Sequence, residues 1–396
     1  MFTSIRKYID FNSINSSVKY LSISAFLTGI ALGYFFTVIV ITQKLSGYSE
    51  STIGIVAASF SLGLVAAGFF VSKILAKIGL YKMLLLSVSI QTVSVLAMFI
   101  YFNPINLALC HLIMGIMGGM NWMTMDTWVN IVSNDKNRGK AIGLYNSSIS
   151  IGFAVGPLIV ALFGSQGLIP IILCLLLMII RMPALYIIKN HINNVIIPEQ
   201  INKINFSLVK IAPFIFIAIF IGGINDSSFG ALFPAFMINE QFTDRSIGFY
   251  FFVGAIGGVL SQPFVGSLAD KVNKRKFLFS LLICHIIWPL LLFNFISIPL
   301  IIILSVIVWG FASVSIYTVA LAYLGERANI KEISIATSVF IIIYEGGEFF
   351  GPIIVGLSMN QFGNPGFIYS ILFITIISLI LGIIRTIFKN NENKNY

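Results

Sequence analysis

Twelve apolar runs, each about the length of a membrane span, follow one another along this chain: 20–43, 51–72, 81–102, 105–132, 139–162, 167–187, 210–236, 246–268, 276–296, 298–324, 333–358 and 366–388. Crossing a hydrocarbon core ~30 Å thick as a helix takes about 20 residues. In lipid every backbone amide must be paired within the spanning structure, and the runs lack the short alternating segments of a barrel. They predict an all-α polytopic membrane protein with twelve transmembrane helices. Composition agrees, because only 10% of the 396 residues are charged and the mean hydropathy is +0.98. A soluble domain carries roughly a quarter charged residues.

The charges that remain are placed by topology. Cations cluster in alternate connections: Lys73, Lys77 and Lys82; Lys136, Arg138 and Lys140; Lys189 and Lys203; Lys271, Lys274, Arg275 and Lys276; Arg327 and Lys331. The intervening connections hold almost none, apart from Lys44 and Arg245. By the positive-inside rule both termini and the basic loops are expected to be cytoplasmic, in a bacterial inner (plasma) membrane. The net charge of +10 is then a topology signal. No basic segment is interleaved with stacking aromatics, so no nucleic-acid partner is expected. The polar lead before the first run has no clear cleavage site and reads as retained.

Cys110, Cys174 and Cys284 sit far apart within apolar runs, and His111, His191 and His285 share no ligand spacing. Neither a disulfide framework nor a metal site is expected, and no cofactor. Nothing resembles a nucleotide-binding loop, and no nucleophile, base and metal cluster forms a coherent constellation for an enzyme.

The span plan is six, a polar stretch, then six. Its expected division is a bundle over 1–188, a cytoplasmic central loop over 189–209 and a second bundle over 210–396. The halves overlay in one register. Gly29 matches Gly223 and Gly79 matches Asn273 at an offset of 194, and Gly156–Pro157 matches Gly351–Pro352 at 195. A parallel repeat of this kind, pivoting about a midplane site, is a secondary-transporter design.

After the eighth span runs Gly266-Ser-Leu268-Ala269-Asp270-Lys271-Val-Asn273-Lys274-Arg275-Lys276. It resembles the loop signature of the major facilitator superfamily. A first copy after span 2, from Ser72 to Lys82, keeps Gly79 and the basic residues but has Ala76 where the acid belongs. The stretches Met125–Asn130, Asn137–Tyr145 and Leu321–Tyr323 resemble the YcaD-like branch of that superfamily. The resemblance implies two six-helix pseudo-repeat bundles, spans 1, 4, 7 and 10 lining the centre, and alternating access. It also implies a gating set of Gly79, Asp126, Arg138, Gly266, Asp270, Lys271 and Arg275, with Asp270 pairing to cations in one state and releasing them in the other.

A carboxylate in the bilayer costs a few kcal/mol, so acids within spans are functional candidates. Asp226 lies about 24 Å along span 7 at 1.5 Å per residue. Glu345 and Glu348 in span 11 are i and i+3, on one face. Two neighbouring carboxylates in low dielectric do not readily both ionise, which suits a proton-coupling site. Asn225 and Ser228 are expected as their polar partners, and Asn121, Tyr34 and Tyr317 as solute contacts. Arg181 in span 6 is expected to snorkel to the cytoplasmic surface, and His285 to be tucked in and hydrogen-bonded.

The expected function is a secondary active transporter, a monomer in its lipid, moving a small solute with protons as coupling ion. Three acids without a matching midplane cation favour a cationic or neutral solute. Two alternatives compete. Gly152–Pro157 is similar to a drug–proton antiporter core and supports drug or metabolite efflux, but His111 stands where such antiporters carry Arg. A non-transporting membrane receptor has little loop surface for signalling partners.

Overall fold

The computed structural model describes residues 16–133, 138–189, 205–328 and 332–392, and the described residues are helical with no strand. Twelve helices are long and apolar enough to cross a membrane. They are α1 (Ser16–Leu45), α2 (Glu50–Gly68), α3 (Leu80–Ile100), α4 (Pro104–Val132), α5 (Arg138–Phe163) and α6 (Leu168–Ile179, continuing as Arg181–Lys189). The second set is α7 (Pro213–Asn239), α8 (Asp244–Ala269), α9 (Lys274–Asn294), α10 (Pro299–Arg327), α11 (Ile333–Phe362) and α12 (Gly366–Glu392). A short helix, Val71–Ile78, precedes α3, and a 3₁₀ turn, Phe206–Ile211, precedes α7. Most of the expected central loop, 190–204, lies outside the described residues.

Local chemistry sets where helices begin. Asn103 accepts from Asn106 N–H at 3.0 Å, with Pro104 at the first helical position, where its missing N–H costs nothing. Asn273 caps α9 by accepting from Lys276 N–H at 3.1 Å, so the loop motif's Asn is a helix start signal. Its repeat counterpart Gly79 also directly precedes a helix, at φ +80°, and donates to Leu75 O at 2.8 Å. Replacing Gly79 with Ala is expected to cost about 1 kcal/mol, because that φ suits glycine. Thermal unfolding of the variant checks this.

By contacts the chain divides into two units. One takes Met1–Val38 with Leu62–Gln200, and the other Ile39–Ser61 with Ile201–Tyr396. Each is built on the same backbone-to-backbone joint. In the first, a Cβ on Gly29 of α1 would meet the Ile149 carbonyl of α5, and one on Gly152 would meet the Phe26 carbonyl. In the second, a Cβ on Gly223 of α7 would meet the Tyr344 carbonyl of α11, and one on Gly347 would meet the Phe220 carbonyl. The residues correspond at offsets of 194 and 195. Small residues let helices approach closely where lipid supplies no hydrophobic drive for their association. The Gly152–Pro157 segment therefore acts in packing.

The four most buried helices are α1, α7, α4 and α10. In the second unit Phe229 of α7 stacks on Trp309 of α10 at 3.6 Å and on Phe233 at 4.3 Å. These rings fix α7 against α10 on the side of α7 that also carries the buried Asn225. Large apolar side chains such as Phe264, Ile105 and Leu168 stand about three-quarters exposed. Such a surface needs lipid around it.

Candidate functional site

Asp226 has thirteen residues of α7 on either side of it, and Glu345 and Glu348 flank the midpoint of α11. The α7–α11 joint brings the three acids together within the second unit. Tyr344 Oη donates to Asp226 Oδ2 at 2.7 Å. Glu345 and Glu348 follow Tyr344 within the next turn of α11, one turn apart from each other. Ser313 of α10 faces the Asp226 carboxyl, yet its hydroxyl, 2% exposed as a residue, completes no hydrogen bond of good geometry. The Tyr317 ring stands edge-on to Tyr344 at 5.2 Å and to Phe340 at 5.2 Å. All three acids are half-buried.

Sequence reasoning found the acids and Tyr317 but missed Tyr344 and Ser313. Asn225 and Ser228 do not join them. Asn225 Nδ2 donates back to Ile221 O at 3.0 Å, and Ser228 Oγ has no partner among the described residues, lying where a Cβ on Gly351 would be 2.8 Å away. Asp226 is instead served by the Tyr344 hydroxyl of α11. At the repeat-equivalent positions the first half has Leu32, Ile149, Ser150 and Phe153, so the acidic cluster belongs to one half alone.

In the first unit Tyr34 is wholly buried, and its hydroxyl donates to Pro170 O of α6 at 3.3 Å, which makes it a packing residue. Asn121 is buried, with Nδ2 unpartnered among the described residues. Asp126 faces the Tyr145 hydroxyl of α5. The side chain of Arg138, grouped with it in the expected gating set, lies outside the described residues. His111 bonds Leu107 O through Nδ1 at 2.8 Å, and His285 is buried with neither ring nitrogen partnered among the described residues, contrary to expectation.

Arg181 corrects the sequence reading outright. It is 0% exposed, with Nε donating to Thr28 Oγ1 at 3.2 Å and Nη1 to Met178 S at 3.4 Å, and it meets no carboxylate among the described residues. It follows directly on the break at Ile180 and lies inward against α1. A buried guanidinium without a counter-charge is costly, and an apolar side chain of similar length removes that cost. Arg181→Met is therefore expected to leave the melting temperature unchanged or raised. A fall of several degrees in thermal unfolding would show that the Thr28 bond outweighs desolvation.

The loop after α8 is also arranged differently from the expected latch. Asp270 is the exposed C-cap of α8, and its carboxylate pairs with no cation among the described residues. Lys271 is exposed, and the Arg275 guanidinium lies 5.9 Å from the Phe214 ring. The ion pair across this end is Lys274 with Glu326 of α10 at 2.5 Å. Gly266 has open space where its Cβ would be, so its site makes no steric demand.

A second polar network, absent from the sequence reading, ties the turn between α1 and α2 to the ends of α7 and α11. Lys44 Nζ pairs with Glu50 Oε1 at 2.5 Å, and Asn239 Nδ2 donates to the same oxygen at 2.9 Å. Asn239 also donates to Asn364 Oδ1 at 3.1 Å, and Asn360 Nδ2 donates to Ser51 Oγ at 2.7 Å.

The family model described as Major Facilitator Superfamily matches residues 21–210 and 215–395. The uncharacterised MFS-type transporter YfkF of Bacillus subtilis (strain 168) is 23% identical over 90% of this chain and 93% of its own length. The uncharacterised MFS-type transporter YcaD of Escherichia coli O45:K1 is 21% identical over 83% of each chain. Among solved structures, the nucleoside transporter NupG superposes with a TM-score of 0.76 at 13% identity, covering 93% of this chain and 98% of NupG. A bacterial homologue of the human lysosomal transporter Spinster gives 0.71 at 12% identity, covering 96% of each chain. With two matched segments that span nearly the whole sequence, twelve apolar helices and a fold shared with transporters, the chain belongs to the Major Facilitator Superfamily and is a multi-pass membrane transport protein.

Proposed function

We propose that this protein is a proton-coupled secondary transporter that moves a small cationic or neutral solute across the bacterial inner membrane by alternating access. It works as a monomer with both termini in the cytoplasm, and residues 1–188 and 210–396 are the two bundles that move. The observation that carries this reading is the gathering of Asp226, Glu345, Glu348 and Tyr344 at the middle of α7 and α11. Acids so deep in a membrane protein are expensive and mark ion or solute pathways. Among the described residues no Lys, Arg or His pairs with them, which favours a cation over an anion. Exclusive binding of polyanionic ligands by the purified protein would remove that preference.

The test is flux. Protein reconstituted into vesicles is given a solute panel with and without an imposed proton gradient. Uptake that follows the gradient supports the reading, and uptake of the whole panel indifferent to it refutes the coupling.

Alternating access also requires the network at the α1–α2 turn to open in each cycle. Ser51→Cys with Asn360→Cys, in a chain lacking Cys110, Cys174 and Cys284, is expected to stop flux on oxidation and restore it on reduction. Undiminished flux with the crosslink formed would show that this contact does not move.

A further inference from the structure

The cations that follow α8 are not equally engaged. Lys274 pairs with Glu326, and the Arg275 guanidinium lies 5.9 Å from the Phe214 ring. Lys271 and Lys276 stand exposed, with no ion pair among the described residues. Asp270 is the one acid between Leu268 and Lys276. Both lysines stand at the foot of an apolar groove.

Three helices of the second unit build that groove. α10 lies between α8 and α9 and packs on both. Gly254 and Gly310 let the α8 and α10 backbones touch, and Ser305 of α10 donates to Trp288 O of α9 at 2.7 Å. α8 and α9 therefore stand as walls on a floor of α10. The space between them, about 480 Å³, is lined by Phe252, Ile256 and Leu260 of α8, Cys284 of α9, and Ile307 and Phe311 of α10. Its lining is apolar apart from Ser261, whose hydroxyl is engaged with Gly258 O at 2.6 Å.

Exposed side chains continue from the groove toward the lysines. On α8, Leu260, Phe264 and Leu268 follow one another a turn apart, and the winding runs on to Lys271, whose N–H donates to Leu268 O at 3.0 Å. On α9, Ile287, Ile283 and Ser280 lead the same way to Lys276. Leu260 to Lys271 is about 16 Å and Cys284 to Lys276 about 12 Å at 1.5 Å per residue, close to half of a ~30 Å hydrocarbon core. A partner helix would cover the groove and leave the lysines unmatched, whereas a phospholipid with an anionic headgroup matches both. We propose that the α8–α9 groove is a selective site for an anionic phospholipid: its headgroup pairs with Lys271 and Lys276, and one acyl chain runs along α8 and α9 to lie over Ile307 and Phe311. Basic clusters at the cytoplasmic ends of spans attract anionic headgroups, and the groove adds the place for the chain that a bare surface patch lacks. With the loop in the cytoplasm, as proposed above, the lipid belongs to the inner leaflet.

The test uses the full-length protein in phosphatidylcholine vesicles. Leu260→Trp places an indole at the mouth of the groove, and Phe373→Trp places one on the exposed face of α12. Fluorescence quenching beyond that of wild type is compared for dibrominated phosphatidylglycerol and dibrominated phosphatidylcholine at the same minor share of the lipid. Phosphatidylglycerol is expected to quench Leu260→Trp at least about threefold more strongly than phosphatidylcholine, and the two should quench Phe373→Trp equally. Adding Lys271→Gln and Lys276→Gln should bring the two lipids level at Leu260→Trp. Both lysines are exposed, so the size-exclusion profile should stay that of wild type. Free glycerol phosphate should displace nothing, because it brings the headgroup without the chain.

Equal quenching by the two lipids at Leu260→Trp overturns the site, as does a phosphatidylglycerol preference that survives the loss of both lysines. The same preference at Phe373→Trp also overturns it, by showing a general attraction of the protein for anionic lipid. Displacement by glycerol phosphate would leave a phosphate site in the loop and no lipid site. Flux under a proton gradient is a separate measurement, so failure of the lipid site and failure of the transport reading are told apart.

Discussion

Glu345→Gln is expected to abolish the response of flux to a proton gradient while leaving the protein folded. The amide keeps the shape of the side chain but can neither take up nor release a proton. A hydrogen bond involving a charged group contributes about 1.5–3 kcal/mol, so gradient-driven flux should fall by roughly tenfold to a hundredfold. Size-exclusion profile and melting temperature should match wild type, because Glu345 is half-buried and sits outside the α7–α11 glycine contacts. Flux that still doubles with the gradient would remove Glu345 from the mechanism. A folded variant with no flux under any condition would place it in solute binding instead.

The largest effect on stability is expected from Gly223→Val. A Cβ there would enter the Tyr344 carbonyl and come within 3.0 Å of Glu348 N, and backbone cannot turn aside as a side-chain tip can. Overpacking of this kind costs about 1–3 kcal/mol or more, and here it would also part α7 from α11 and pull Tyr344 from Asp226. Thermal unfolding should drop by many degrees, and binding at the acidic cluster should fall with it. Gly266→Val is the control, since nothing lies within 4 Å of its Cβ position. Equal melting temperatures for the two variants would show that the α7–α11 joint has slack that the backbone positions conceal.

These two variants separate what could be read in the chain from what could not. Helix number, helix order and the internal repeat were legible because lipid imposes length and apolarity on every span, and that demand is written in consecutive residues. The depth of Asp226 and the shared face of Glu345 and Glu348 followed from helical rise and spacing alone. Their partners were not legible. Tyr344 stands beside Glu345 in sequence, yet an aromatic inside an apolar run reads as packing until a second helix places Asp226 at its hydroxyl. Ser313 is one of many serines in spans. Lys274 and Glu326 are far apart in sequence, so proximity along the motif pointed to Asp270, Lys271 and Arg275 instead.

Arg181 shows the limit most plainly. Composition says that an arginine near a span end can reach the surface, but the direction of a side chain depends on the rotation of its helix against its neighbours. In the folded protein Arg181 faces Thr28 of α1. By itself the sequence determined the membrane, the twelve spans, the repeat and which residues were too costly to be idle. The tertiary structure decided which hydroxyl meets which acid and which cation stays buried, because contacts between helices depend on rotation and register that no single span encodes.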